Sequence, residues 1–303
     1  MRCVPRWTLV LAILLGNVLV APTADAQRTI PVDSVRLGDT TLVHRVRMLD
    51  GTTFIGRIVA VSAASFTITT SSGTFTVDRL RIDTVTEVGA ERVRRGVIWD
   101  ANTHQTRLLF SPTAFPLDRG EGYYANFWLF LSTVAVGVTD RFTVGAGLTT
   151  FPTSDITANM FFFLPKFTVV QRERFAAAVG ALAMSVPGWD AERVSLGIVY
   201  GVTTFGEPDG HLTLGAGWGY VEDRIADRPV LTVGGLKRTS RSIALITENW
   251  IFPSDEGFRA LTTYGFRFLG ERLSADLAFG NFIGGGATIL VPGIPLVGFA
   301  FRF

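Results

Sequence analysis

The stretch FRALTTYGFRFLGERLSADLAF, residues 258–279, contains two strand-like segments that meet at Gly270-Glu271. Apolar residues recur at alternate positions, which predicts β-strands. An Arg or Lys that faces lipid at mid-bilayer costs about 2–4 kcal/mol. We therefore expect the apolar face to contact hydrocarbon and the charged face to line an enclosed lumen. The charged residues inside the two segments all fall on the face opposite the apolar one: Arg259, Arg267, Arg272 and Asp276.

The same alternation continues through residues 106–303, and short polar turns alternate with longer loops, as in outer-membrane barrels. We predict an all-β, transmembrane, antiparallel up-and-down β-barrel of about twelve strands. Ten or fourteen strands would also fit, because residues 106–139 can be divided differently. The predicted strands are 106–113, 122–139, 141–150, 160–170, 175–186, 192–205, 211–222, 229–238, 241–252, 257–268, 271–281 and 294–303.

A bundle of membrane-spanning helices is the alternative fold, because residues 122–139 and 277–301 carry no charge. The first stretch is rich in β-branched and aromatic residues, and the second contains Gly284-Gly285-Gly286 and Pro292. Clusters of Gly and Pro leave helix backbone groups without partners in lipid, each at a cost of several kcal/mol. Strands are therefore favoured.

Charged residues on the inner face form the candidate functional site. They could form a constriction that selects small solutes by charge, with a weak preference for anions because cations outnumber acids. Alternatively, neighbours of opposite sign could pair at low dielectric and build a network that plugs and stiffens the barrel. We favour the network, because no long loop is available to shape a selective channel. The six residues are Lys166, Glu248, Arg259, Arg267, Asp276 and Arg302.

The chain ends on an alternating strand with Phe299, Phe301 and Phe303. In this it resembles bacterial outer-membrane β-barrel proteins of the porin-like class, whose last strand ends in Phe and is recognised by the barrel-assembly machinery. The resemblance covers residues 106–303 together with the export signal, and it is not specific for one family. It implies an outer-membrane location, contact with outer-membrane lipid and assembly by that machinery.

The first 26 residues have the pattern of a secretory signal peptide. Two arginines precede an apolar run over residues 7–21, and Ala24-Asp25-Ala26 supplies small residues before the expected cleavage at Gln27. An uncleaved anchor is disfavoured, because the run is short for a spanning helix. Cleavage would remove Cys3, the one cysteine of the 303 residues, so we expect no disulfide and no cysteine-bound metal.

Residues 33–90 are predicted to form a small periplasmic β-domain, followed by a linker over 91–105. Five short strands fit the alternation and the turn signals at Asp50-Gly51 and Ser72-Gly73. The run LDGTTFIGRI, residues 49–58, resembles the second strand of Sm-like and SH3-like barrels. Some Sm-like folds bind RNA, but acidic residues offset the arginines here and the whole chain has a formal charge of only +2. We therefore predict no nucleic-acid partner.

The sequence offers little for catalysis. Its three histidines, His44, His104 and His211, have no metal-ligand spacing, and no Gly-x-Ser-x-Gly motif occurs. We predict that the protein is not an enzyme and takes no cofactor or metal. His44 has apolar neighbours at alternate positions and is interpreted as a packed residue.

These patterns together predict a structural outer-membrane barrel or a narrow passive pore for small polar solutes. Its N-terminal domain would rest on the periplasmic mouth of the barrel or dock another component of the envelope. Two alternatives remain: a barrel-embedded, lipid-modifying hydrolase that uses His211, and a secreted soluble β-protein that binds an apolar ligand.

Overall fold

A computed structural model describes residues 27–35, 37–151, 156–188, 192–254, 257–284 and 290–303. The predicted signal peptide, residues 1–26, lies outside the described residues. Strands are the predominant secondary structure of the described chain, and its helices are all too short to cross a bilayer. The short 3₁₀ helices are Val32–Ser34, Arg79–Arg81, Ala90–Arg92 and Ile156–Ala158.

The N-terminal part is a six-stranded antiparallel sheet in the order β1-β6-β2-β3-β4-β5. The turn at Gly51, where φ is +86°, follows β2 as the Asp-Gly signal predicts. Val46, Phe66 and Val85, on three different strands, are fully buried in one apolar core. The strands are β1 (Gln27–Ile30), β2 (Leu42–Met48), β3 (Thr53–Val61), β4 (Ser65–Thr70), β5 (Gly73–Asp78) and β6 (Ile82–Gly89).

His44 lies in this sheet and is packed, as its apolar neighbours indicate. It is 2% exposed, and its Nδ1 lies 3.5 Å from the backbone nitrogen of Ile58. Burial lowers the pKa of His44, and this effect outweighs the opposing influence of Glu87 and Asp39. The folded sheet therefore favours neutral His44, with Nδ1 free to accept the Ile58 N–H.

We expect the sheet to lose stability in acid because of His44. An unfolded histidine binds a proton below about pH 6.5, whereas the folded state resists protonation, so stability is fully present above pH 6.5 and declines as the pH falls. One proton changes the free energy of unfolding by at most about 1.4 kcal/mol per pH unit. Hydrogen exchange of β2 and β3 amides in the full chain at pH 7 and pH 5, corrected for intrinsic rates, measures this loss. In the His44→Gln variant, whose residue 44 cannot titrate, the loss of stability between pH 7 and pH 5 should be smaller. An unchanged loss would show that other groups cause it.

Twelve further strands form a closed antiparallel barrel. Each of these strands pairs with the next one in the ring. The last strand pairs with the first and closes the ring, with Phe301 opposite Tyr124. The predicted fold class, an up-and-down transmembrane-type barrel of about twelve strands, is confirmed. The strands are β9 (Gly122–Phe127), β10 (Leu131–Thr139), β11 (Phe142–Thr149), β12 (Phe161–Arg172), β13 (Phe175–Pro187), β14 (Arg193–Glu207), β15 (Gly210–Val221), β17 (Val230–Arg238), β18 (Ile243–Ser254), β19 (Gly257–Leu269), β20 (Leu273–Ile283) and β21 (Ile294–Arg302).

Three two-residue strands lie outside the ring and the small sheet. β7 (Val93–Arg94) and β8 (Val97–Ile98) pair with each other, and β16 (Arg224–Ile225) pairs with the end of β15.

The predicted division of residues 106–139 is wrong in two places. Residues 106–113 are not a barrel strand, because they lie inside the lumen. The single strand predicted over 122–139 is a hairpin, β9 and β10, which turns at Trp128 and Leu129 with positive φ values of 50° and 64°. Neither error changes the count, because one strand is lost and one is gained. The turn escaped prediction because large apolar residues occupy backbone positions that usually hold Gly or Asn.

The two faces of the barrel differ as the alternation predicts. Val199 and Phe266 on the outer face are 57% and 44% exposed, whereas Glu248 and Arg267 on the inner face are 0% exposed. A water-soluble barrel would bury its apolar face instead. The exterior is therefore suited to a hydrocarbon environment.

The small sheet lies at the end of the barrel where the connections are short. Arg45 on β2 donates to Glu271 in the β19–β20 turn at 2.7 Å and lies 3.3 Å from the carboxylate of Asp100. Arg238, at the end of β17, donates to the backbone carbonyl of Asp100 at 2.6 Å. From this point the chain enters the barrel.

Candidate functional site

Residues 100–117, here called the plug, run through the lumen before the chain begins β9. They turn back on themselves at Leu108–Ser111, where the Leu108 N–H donates to the Ser111 carbonyl at 2.9 Å, and the Thr113 N–H donates to Thr106 at the same distance. Leu108 and Leu109 pack in a buried apolar cluster with inner-face residues of several strands, among them Leu236, Ile246 and Leu296. The plug thus has its own apolar anchor at its tip.

An inner-face glycine makes room for this tip. A Cβ atom added at Gly234 on β17 would lie 2.5 Å from Leu108 Cδ1 and 2.6 Å from the Thr247 carbonyl oxygen. A larger side chain there would displace the plug or the strand. Gly234 therefore has a steric reason to lack a side chain.

Glu248 holds the plug on one wall of the barrel. Its Oε2 accepts hydrogen bonds from three consecutive backbone N–H groups, those of Leu109, Phe110 and Ser111, each at 2.9 Å. Its Oε1 accepts a fourth from the indole of Trp250 at 2.6 Å. Successive N–H groups that point to one centre form an anion-binding nest, and the carboxylate of Glu248 occupies it.

Lys166 holds the plug from β12, nearly opposite. Its Nζ donates to the carbonyls of Thr106, Thr113 and Phe115 at 3.1, 2.8 and 2.7 Å. These three acceptors match the three hydrogens of an ammonium group. The cation is therefore satisfied by plug backbone alone.

Arg267 and Asp276 form an ion pair beneath the tip of the plug. Arg267 Nε and Nη2 lie 2.7 and 2.9 Å from the two carboxylate oxygens of Asp276. Nη2 also donates to the Leu108 carbonyl at 2.7 Å. The two residues face each other across β19 and β20, so neighbouring inner-face charges of opposite sign meet as the sequence suggested.

Asp276 also belongs to a buried chain of polar contacts. His104 Nε2 lies 3.3 Å from the Asp276 carboxylate, and His104 Nδ1 lies 3.0 Å from the hydroxyl of Ser274. Serine, histidine and aspartate are the residue types of a hydrolytic triad. Ser274 is only 1% exposed, however, and Arg267 already pairs with the carboxylate. The serine hydroxyl is therefore part of a buried polar chain that ties the plug to β20.

The two remaining candidate charges lie apart from this cluster. Arg302 forms an ion pair with Glu121, where the plug leads into β9. Arg259 is exposed, and in the described chain no hydrogen bond joins it to the plug. The six charges therefore do not form one ring around the lumen.

The C-terminal aromatic residues lie on the strand that closes the barrel. Phe301 is exposed on the outer face, and the ring of Phe299 lies 6.0 Å from that of Tyr124 on β9. The Phe303 N–H donates to the Gly122 carbonyl at 3.1 Å. These residues line the seam between the last strand and the first.

Sequence reasoning missed the plug and with it His104, Ser274 and Thr204. Thr204 Oγ1 accepts from the Ala114 N–H at 2.9 Å, one of several inner-face hydroxyls that bond plug backbone. The charge pattern did hold a signal for the plug, because buried charges on the inner face need hydrogen-bond partners within the lumen. Among the described residues, no cluster of three or more His, Cys, Asp or Glu side chains could hold a metal ion.

No protein-family model matches the sequence, and no curated protein matches it. Among solved structures, the chain is similar to the NanC porin at 6% identity, covering 60% of this chain and 97% of that one, with a TM-score of 0.38. It is also similar to the trimer form of OmpT from Vibrio cholerae (13% identity, coverage 87% and 96%, TM-score 0.35). A third is OmpF of Salmonella typhi in complex with daunomycin (8% identity, coverage 86% and 95%, TM-score 0.31). Similarity at this level carries no inference about activity, and the fold assignment rests on the closed ring of strands.

Proposed function

We propose that the protein is a bacterial outer-membrane β-barrel that its own plug holds closed, and that its role is structural rather than enzymatic. The closed ring and its apolar exterior support the membrane location. On this proposal the outer face contacts outer-membrane lipid, the short turns face the periplasm and the N-terminal sheet lies there. The last strand, with its terminal Phe303, would be the segment that the barrel-assembly machinery recognises.

The observation that carries the proposal is the seating of the plug between Glu248 and Lys166. Hydrogen bonds to charged groups contribute about 1.5–3 kcal/mol each, and these two residues make six with plug backbone. Withdrawing the plug would remove all three partners of Lys166 and leave Glu248 with only the Trp250 indole, and an inadequately paired ion costs several kcal/mol. An open state is therefore rare at equilibrium, and a passive pore is the less favoured function.

We expect the purified protein to be silent in planar lipid bilayers. The closed lumen should give no ohmic steps under an applied potential, although the protein shows the heat-modifiable gel migration of a folded barrel. Frequent, uniform conductance steps from the unmodified protein would overturn the closed-barrel proposal and favour the passive pore. A chain with the lumen occluded by a covalent label is the control for contaminating porins.

The N-terminal sheet would act as the periplasmic contact of the barrel. The ion pair between Arg45 and Glu271 joins the sheet to the short-turn mouth of the barrel, and on this proposal the sheet and the plug would form one continuous cap on the periplasmic side. An envelope component that binds the sheet would approach the barrel from this side.

A further inference from the structure

A cavity of about 130 Å³ remains in the lumen beside the plug. Plug residues Arg107, Phe110 and Pro112 line one side of it. The strands contribute positions towards their longer connections, such as Leu182 on β13 and Val230 at the start of β17. The cavity therefore occupies the half of the lumen away from the N-terminal sheet.

The strand walls of this cavity are mostly apolar. Leu164, Leu182, Ile198 and Val202 line it, and inner-face glycines widen it where side chains would otherwise project. A cavity needs about 10–15 Å³ of such volume to hold one water molecule, so this cavity has room for roughly ten waters. Water confined against aliphatic walls has few hydrogen-bond partners, and an aliphatic chain would gain free energy by displacing it.

The charges at the cavity are of one sign. Arg107 and Lys166 line it, and none of its described lining residues is acidic. Lys166 already donates to three carbonyls of the plug. Arg107 differs, because its half-buried side chain makes no hydrogen bond or ion pair within the described chain. A guanidinium in such a site is a ready partner for a carboxylate, which it can bind through two parallel hydrogen bonds.

We propose that the cavity binds a single-chain aliphatic carboxylate. The carboxylate pairs with Arg107, and the chain lies along Leu164, Leu182 and Ile198 towards the longer connections. Lys166 lines the cavity but keeps its three hydrogen bonds to the plug backbone, so the barrel can hold such a ligand while it remains closed to ions.

Binding is tested with radiolabelled decanoate and the full chain in lipid nanodiscs, by equilibrium dialysis against empty nanodiscs. We expect saturable binding of about one decanoate per chain beyond the lipid background. Decylammonium should not compete, because it places a cation beside Arg107, and decanol should compete more weakly than decanoate. Binding that never saturates, or equal competition by all three, would overturn the proposal.

Three variants locate the site. Arg107→Gln should weaken decanoate binding about tenfold or more, with little change for decanol, because one charge-assisted contact is lost. Leu182→Trp, which fills the cavity, should weaken both ligands. Arg119→Gln removes the same charge from an exposed position after the plug and should change neither. Equal affinity of Arg107→Gln and Arg119→Gln for decanoate would exclude the site. Conductance of the unmodified protein would contradict the closed-barrel proposal but would not test this pocket.

Discussion

The double variant Lys166→Met/Glu248→Gln will conduct ions where the unmodified protein is silent. Methionine leaves the carbonyls of Thr106, Thr113 and Phe115 without their ammonium donor. Glutamine removes the negative charge from the nest of three N–H groups. Each change weakens several charge-assisted contacts, so the seating of the plug should lose several kcal/mol. The open population then becomes large enough to appear as frequent ohmic steps in planar bilayers.

A matched control for this result changes the same residue types elsewhere. Lys237 and Glu207 are exposed, and neither is hydrogen-bonded to the plug in the described structure. Lys237→Met/Glu207→Gln should therefore stay silent. Heat-modifiable migration must show that both double variants are folded barrels. A folded but silent Lys166→Met/Glu248→Gln protein would mean that the apolar tip, Leu108 and Leu109, holds the plug by itself.

Arg267→Met should destabilise the barrel by about 3–5 kcal/mol, the cost of leaving a buried charge without its partner. Arg267 is 0% exposed and binds both oxygens of Asp276 as well as the Leu108 carbonyl. The double variant Arg267→Met/Asp276→Asn removes both charges and should recover much of the loss. The free energy of unfolding in guanidinium chloride, followed by tryptophan fluorescence in lipid vesicles, measures these differences.

Arg259 provides the internal comparison for this series. It has the same inward-facing parity on β19 as Arg267, but it is exposed. Arg259→Met should change the free energy of unfolding by less than about 0.5 kcal/mol. If Arg267→Met and Arg259→Met had equal effects, the buried ion pair would contribute nothing measurable to the barrel.

Most strands could be predicted from the sequence because their determinants are local. In the N-terminal sheet, β2 and β3 meet at the predicted Asp50-Gly51 turn, and β4 and β5 meet at the predicted Ser72-Gly73 turn, since alternation and turn signals act over a few residues. The barrel strands followed from the same period together with the side on which charges fall. The β9–β10 turn was not predicted for the complementary reason, because neither Trp128 nor Leu129 is a residue type that signals a turn.

The candidate site was predictable only in part. The inner-face charges were identified, and the Arg267–Asp276 pair could be expected because the two residues lie on consecutive strands. The partners of Lys166 and Glu248 were not predictable, because they are backbone carbonyls and N–H groups that every residue carries. His104 looked like a linker residue for a different reason, because the side chains that it contacts, Ser274 and Asp276, lie 170 and 172 positions away along the chain.

The pattern of residues along the chain places apolar and ionised side chains on opposite faces of repeated strands, and hence predicts a barrel with a charged interior. What fills that interior depends on contacts between distant parts of the chain. Periodicity reports which way a side chain points, because it arises from the backbone geometry of one strand. It does not report what lies opposite, because closing the ring brings together walls and a plug that are far apart in the chain. Residues 106–113 illustrate the difference: they alternate like a wall strand, and the closed barrel enclosed them.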